Sequence, residues 1–155
     1  MKKARNKGML DIAVEVLLWE ECTEELVELV RCSARLTLES QGEEHVGLGI
    51  ALAGDDYVQE LNRRYRGKDQ PTDVLSFPLW EEGDAPEVPL GDIIISVPRA
   101  RRQAQEREHS LQIELIHLVA HGVLHLLGWC HDSAVGEERM WEIQEQVAAK
   151  YHQKR

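Results

Sequence analysis

Residues 92–97 read DIIISV, three isoleucines and a valine in six positions, closed by Pro98. A short β-branched run bounded by a helix-breaking residue has the character of a buried strand. After Pro98 the pattern turns helical. Residues 99–108 form a basic, polar helix, and Ser110 is placed to cap a long apolar helix ending near Gly128. Ser133 is placed to cap a last helix, with Met140, Ile143, Val147 and Tyr151 on one side.

Upstream of residue 92 the elements alternate. Residues 11–18 read as a strand, and Thr23 with Glu24 and Glu25 starts a helix whose buried side holds Leu26, Leu29 and Val30. Val46, Leu48, Ile50 and Leu52 alternate with small residues at the period of a strand. Asp55 is placed to cap a helix carrying Val58, Leu61, Asn62 and Tyr65 at helical spacing. Val74 to Leu79 is a strand, with Pro78 suited to an edge, and the acidic stretch Glu81 to Pro89 is a mobile, hairpin-like loop. The order predicts an α+β fold with a small mixed four-stranded sheet, packed with about five helices. One domain spanning residues 1–155 is expected, with 1–8 a loose basic start.

The chain has 155 residues, 43% of them apolar and 30% charged, enough to bury a core without staples. No apolar stretch is long enough for a membrane span. Asp11 and Glu15 interrupt the one run that resembles a signal peptide. Three cysteines, Cys22, Cys32 and Cys130, give no disulfide framework, which favours a reducing cytoplasm. The net charge of −10 argues against nucleic acid at first sight. Cations nevertheless cluster at residues 1–7, at Arg63, Arg64, Arg66 and Lys68, and at Arg99, Arg101, Arg102 and Arg107. Basic stretches are commonly solvated faces, so charge alone leaves the matter open.

The chemistry concentrates in HGVLHLLGWCH, residues 121–131. His121 and His125, four apart, share one face of the helix. Gly128 suits the positive φ of a helix end, and the turn it permits can return His131 to the same point. Three neutral imidazoles leave one corner of a tetrahedral ion for water, the layout of a catalytic zinc site at the C-terminal helices. The metal-bound water is then the reactive species, its pKa lowered to about 7. A lone histidine is usually a satisfied core or surface residue. Three in this apolar setting would need three separate hydrogen-bonding solutions without an ion. The metzincin pattern H-E-x-x-H-x-x-G-x-x-H fits except at its glutamate, where this chain has Gly122. His117, one turn earlier, is about 12 Å from His125 along the axis and takes a supporting or core role. Cys130 competes as third ligand, but adjacent residues seldom face one ion, so His131 is preferred. His45, His109 and His152 read as surface residues.

With these residues the segment resembles the signature of the YbeY family, bacterial endoribonucleases of rRNA maturation. LNRRYRGKDQPTDVLSFP, residues 61–78, is similar to that family's second motif, and GDIIIS, residues 91–96, to its following strand. The resemblance implies one zinc-like ion per chain on the three histidines, and an arginine needed for activity at Arg66. It also implies cutting of single-stranded rRNA at the small-subunit 3′ end, and a role in ribosome quality control. Partners would be the small ribosomal subunit, with a ribosomal protein or GTPase presenting the RNA. The family usually has aspartate before the third histidine; here that position is Cys130, and Asp132 on the other side can supply the supporting hydrogen bond.

A guanidinium suits phosphate because it offers a planar fork of donors. Arg66 is therefore expected to act on the phosphodiester, with Arg63, Arg64 and Lys68 guiding the strand. Two other classes compete. A metallopeptidase-like hydrolase shares the ligand frame but lacks its glutamate base. A zinc-stabilised ribosome-binding module would use the basic segments without catalysis.

Overall fold

In the computed structural model the described residues are 13–17, 23–43, 47–70, 72–81, 83–84, 88–129 and 133–153. Their elements run β1 (Ala13–Leu17), α1 (Glu24–Ser40), β2 (Gly47–Ala53), α2 (Asp55–Arg66), β3 (Val74–Pro78), β4 (Gly91–Ser96), α3 (Val97–Glu106), α4 (Leu111–Leu126) and α5 (Ala134–Gln153). The sheet order is β1-β2-β4-β3. β1 and β4 flank β2 in parallel, and β3 pairs antiparallel with β4, setting Ser76 opposite Ile93 and Phe77 opposite Asp92. The sheet is mixed, and β3 is an edge strand, which is where Pro78 is tolerated.

The period of two divides the sheet into two faces. Leu48, Ile50 and Leu52 of β2 and Ile93 and Ile95 of β4 are buried in the main core with Leu29 and Val30 of α1 and Leu115, Ile116, Val119 and Val123 of α4. Full burial of such a side chain contributes ~1.5–3 kcal/mol, so these β2 and β4 residues fix the register of the sheet. The opposite face carries a smaller cluster, Ala53, Val58, Leu75 and Ile94, under α2. α4 is buried along nearly its whole length, packed against the sheet and against α1, α3 and α5. An apolar surface all round is what such a central helix requires.

Local signals account for the ends. Thr23 accepts from the Leu26 amide at 3.3 Å, Ser110 from Ile113 at 3.1 Å and Ser133 from Gly136 at 3.0 Å. Gly128 has φ +95°, as the turn after α4 demands.

Several expectations need correction. Ser96 caps α3 by accepting from Arg99, so the strand ends one residue early and Val97 begins the helix. Asp55 does not cap α2; Gly54 precedes the helix, and Asp55 ties α2 to α3. Ser96 donates to its Oδ1 at 3.0 Å, and Arg99 and Arg102 pair with its carboxylate at 3.3 Å. Burial alone would raise the Asp55 pKa, but the Arg99 and Ser96 hydrogen bonds and the two positive charges hold it below its usual value. Tyr65 is exposed although its spacing matches buried residues of α2. His109 is no surface residue: half-buried, it sets Nε2 2.7 Å from the fully buried Glu114, which also accepts from Arg107 at 2.8 Å. His45 lies outside the described residues.

Candidate active site

α4 presents His121 and His125 one turn apart, with both side chains half-buried at the wall of a cleft. Their rings meet edge to face, centroids 4.5 Å apart at 72°. The two Nε2 atoms lie 3.0 Å apart. Two nitrogens held at ~2.0–2.1 Å by one tetrahedral zinc would be about 3.3 Å apart, a difference that a small ring rotation closes.

A glutamine on α5 supports this pair. Gln144, 6% exposed, has Oε1 3.2 Å from His121 Nδ1 and Nε2 3.5 Å from His117 Nδ1. An amide oxygen only accepts, so His121 carries its proton on Nδ1 and turns the lone pair of Nε2 toward His125. That is the tautomer a metal ligand needs. His117 is buried against the Trp141 ring, 4.9 Å between centroids, with Nε2 3.7 Å from Glu145. It is buried beside Gln144, which fits the supporting or core role expected of it. Burial depresses its pKa, an effect that Glu145 and Glu114 only partly oppose.

The cleft has a volume of about 570 Å³, and Arg66 and Lys68 line it together with the two histidines. Gly67, at φ 69°, ends α2 in the left-handed conformation, and Asn62 donates to Gln70 O at 2.8 Å to hold the following loop. Arg66 is steadied by donation to Ser76 O at 2.8 Å. This bond uses one of the five donors of a guanidinium. Arg63 and Arg64 are not among the lining residues. Arg63 pairs with Glu60 at 2.6 Å and Arg64 at 3.5 Å on the exposed side of α2. In the second basic segment, Arg99 and Arg102 are committed to Asp55 and Arg107 to Glu114.

Cys130, His131 and Asp132 lie outside the described residues. Among the described residues no group of three His, Cys, Asp or Glu side chains converges on one point, and His121 and His125 supply two donors. Paired imidazole nitrogens, with the His121 tautomer favoured by Gln144, fit a zinc-like ion.

Gly122 explains the missing glutamate. It is buried, and a Cβ there would come within 2.9–3.2 Å of the Ile93 side chain. Position 122 faces the sheet, so an acid placed there would enter the core and not the cleft.

The chain matches the family described as Endoribonuclease YbeY over residues 13–152. The chain belongs to the YbeY family. Curated proteins of that description include one from Symbiobacterium thermophilum, 44% identical over 83% of this chain and 88% of its own. Another, from Bacillus subtilis, is 39% identical over 86% and 90%. A protein of Thermotoga maritima solved in solution superposes with a TM-score of 0.63 at 27% identity, covering 92% of this chain and 93% of that one.

Within the YbeY frame, two residues that sequence reading missed stand beside the histidines. Gln144 gave no signal, because one glutamine on an amphipathic helix is ordinary. Asp73 lines both this cleft and a neighbouring one of about 630 Å³ reached past His121. It accepts from the Val74 amide at 2.8 Å and from Gln103 at 3.3 Å. The PTD segment holding it was legible as part of the motif over residues 61–78, with no role for Asp73 itself.

Proposed function

We propose that this chain is a metal-dependent endoribonuclease that cuts single-stranded RNA, acting at the 3′ end of small-subunit rRNA and in ribosome quality control. The observation that carries the reading is the facing pair of Nε2 atoms, 3.0 Å apart, in a cleft shared with Arg66. Residues 1–155 act as one catalytic domain in the cytoplasm. The partners are the small ribosomal subunit and a ribosomal protein or GTPase that presents the RNA.

His121, His125 and His131 would hold one zinc ion. When bound, such an ion supplies an activated water at neutral pH and offsets negative charge on phosphate. Gln144 keeps His121 Nε2 deprotonated and aimed. Arg66, steadied by Ser76 O, directs its remaining donors at the phosphodiester, where charge grows during transfer. Lys68 adds a second cation that draws the strand into the cleft. Asp132 would orient His131, with Cys130 beside it.

Peptide hydrolysis is disfavoured by a specific observation: the position of its general base is Gly122, packed on Ile93. The test incubates metal-loaded protein, the His125→Ala variant and a chelated control with rRNA, ribosomes and a casein-like substrate. RNA should be cut by the loaded wild type alone. Metal-dependent peptide cleavage with intact RNA would overturn the reading, and inert protein on both substrates would favour the binding module.

A further inference from the structure

A third cavity opens on the sheet face away from the main core. It measures about 580 Å³ and is walled by Tyr57, Leu61 and Tyr65 of α2 and by Phe77 and Leu79 at β3. The three α2 residues fall four apart, so they form one side of that helix. Tyr57 is 51%, Tyr65 63% and Leu79 54% exposed. Scattered exposed apolar residues are ordinary on a surface; these surround one concavity. Tyr65 stands edge-on to Phe77, ring centroids 5.6 Å apart at 70°. The floor is made of small residues, Gly49 and Ala51, which leave the sheet open. A Cβ at Gly49 would collide with Asp92 Oδ1, so the glycine lets that carboxylate lie across the floor.

The cavity adjoins the candidate active site through one strand and one side chain. Successive residues of an edge strand face opposite ways. Ser76 and Pro78 line the cleft of His121 and His125, while Phe77 and Leu79 line the aromatic cavity. Arg66 spans the divide. It lines the histidine cleft and donates to Ser76 O, and its Cζ lies 5.9 Å from the Phe77 ring centroid. A phosphate gripped by Arg66 therefore places the adjoining nucleotide at the mouth of the aromatic cavity.

From this we infer that the cavity is a base-binding subsite for a nucleotide next to the scissile phosphate, with guanine as its preferred base. The inference rests on the endoribonuclease reading above and adds the substrate feature recognised. Aromatic walls stack on any base, which gives affinity without sequence choice. The carboxylate supplies the choice. Ionised Asp92 only accepts hydrogen bonds, and guanine alone presents adjacent ring and exocyclic N–H donors on its Watson–Crick edge. Adenine and the pyrimidines place an acceptor against the carboxylate there. The carboxylate also repels phosphate, which keeps the backbone outside near Arg66.

The experiment measures binding of short labelled oligouridines with one central guanosine or adenosine to chelated protein, alongside cleavage of the same RNAs by metal-loaded protein. Wild type should bind the guanosine oligomer more tightly. Tyr65→Ala should weaken binding of both about tenfold, and Tyr65→Phe should retain it. Asp92→Asn should lose the guanosine preference while keeping overall affinity. Circular dichroism checks that each variant is folded, as expected for exposed positions. If wild type cleaves and binds RNA but Tyr65→Ala and Asp92→Asn behave like it, the subsite is overturned and the nuclease reading stands. If wild type neither binds nor cleaves RNA, both fall. If the variants lose affinity for an arginine-rich peptide and keep RNA binding, the cavity serves a protein partner and the inference is overturned.

Discussion

Gln144 accepts from His121 across the α4–α5 interface, with Oε1 3.2 Å from Nδ1. A glutamine in the last helix thus determines which nitrogen a histidine of the preceding helix turns toward His125. Partners of this kind typically contribute about 10–100-fold to metal affinity. Gln144→Leu should therefore weaken zinc binding by about that factor, measured by competition with a chromogenic chelator. Gln144→Glu, which keeps an acceptor, should retain more affinity than leucine. Wild-type affinity in Gln144→Leu would show that the amide is only filling space.

Arg66 should be needed for cleavage and dispensable for metal. Loss of one donor aimed at developing charge costs about 10²–10³ in rate, so Arg66→Glu should cut RNA at least that much more slowly. Its zinc content and melting temperature should match wild type, because the residue is exposed and its one backbone bond is at the surface. Undiminished cleavage by the folded variant would remove Arg66 from the site.

Gly122 should tolerate no side chain. Alanine is favoured over glycine in a helix by about 1 kcal/mol, whereas forcing extra atoms into a packed core costs about 1–3 kcal/mol. Gly122→Ala should thus lose about 1 kcal/mol net in urea unfolding. Gly122→Glu should lose far more and gain no peptidase activity. A stable, proteolytic Gly122→Glu variant would show that position 122 can reach the cleft after all.

The buried His117 makes stability depend on pH. Its folded pKa lies below the ordinary 6.5 because burial disfavours the imidazolium. On acidification the unfolded chain takes up the proton first. The stability contribution is therefore intact above about 6.5 and is lost as pH falls through the depressed folded value. In metal-free protein the urea midpoint should drop as pH falls below about 6.5, and His117→Gln should flatten that profile. An equally steep drop in His117→Gln would place the acid sensitivity elsewhere.

Much of the fold was legible because its signals are local. Thr23, Ser110 and Ser133 are caps that the chain declares in sequence, and the isoleucine run 93–95 marks the central part of β4. His121 and His125 were legible for the same reason, since spacing of four on a helix fixes a shared face. What sequence could not reveal depends on long-range partners. Asp55 looks like a cap until Ser96 and Arg99 arrive from α3. Arg99 and Arg102 read as a basic segment until Asp55 is seen to pair with them from the start of α2. Tyr65 keeps the helical period of buried residues yet faces an open cavity, because periodicity says which side a residue is on and not what covers that side.

The central claim, an RNA-cutting centre built on one ion held by His121, His125 and His131, is tested most directly by zinc titration of the apo protein while cleavage of single-stranded RNA is followed. The rate should rise linearly and saturate at one zinc per chain in wild type, with no rise in His121→Ala, His125→Ala or His131→Ala. Equal cleavage by apo and loaded protein, or full zinc-dependent activity in the variants, would contradict the account.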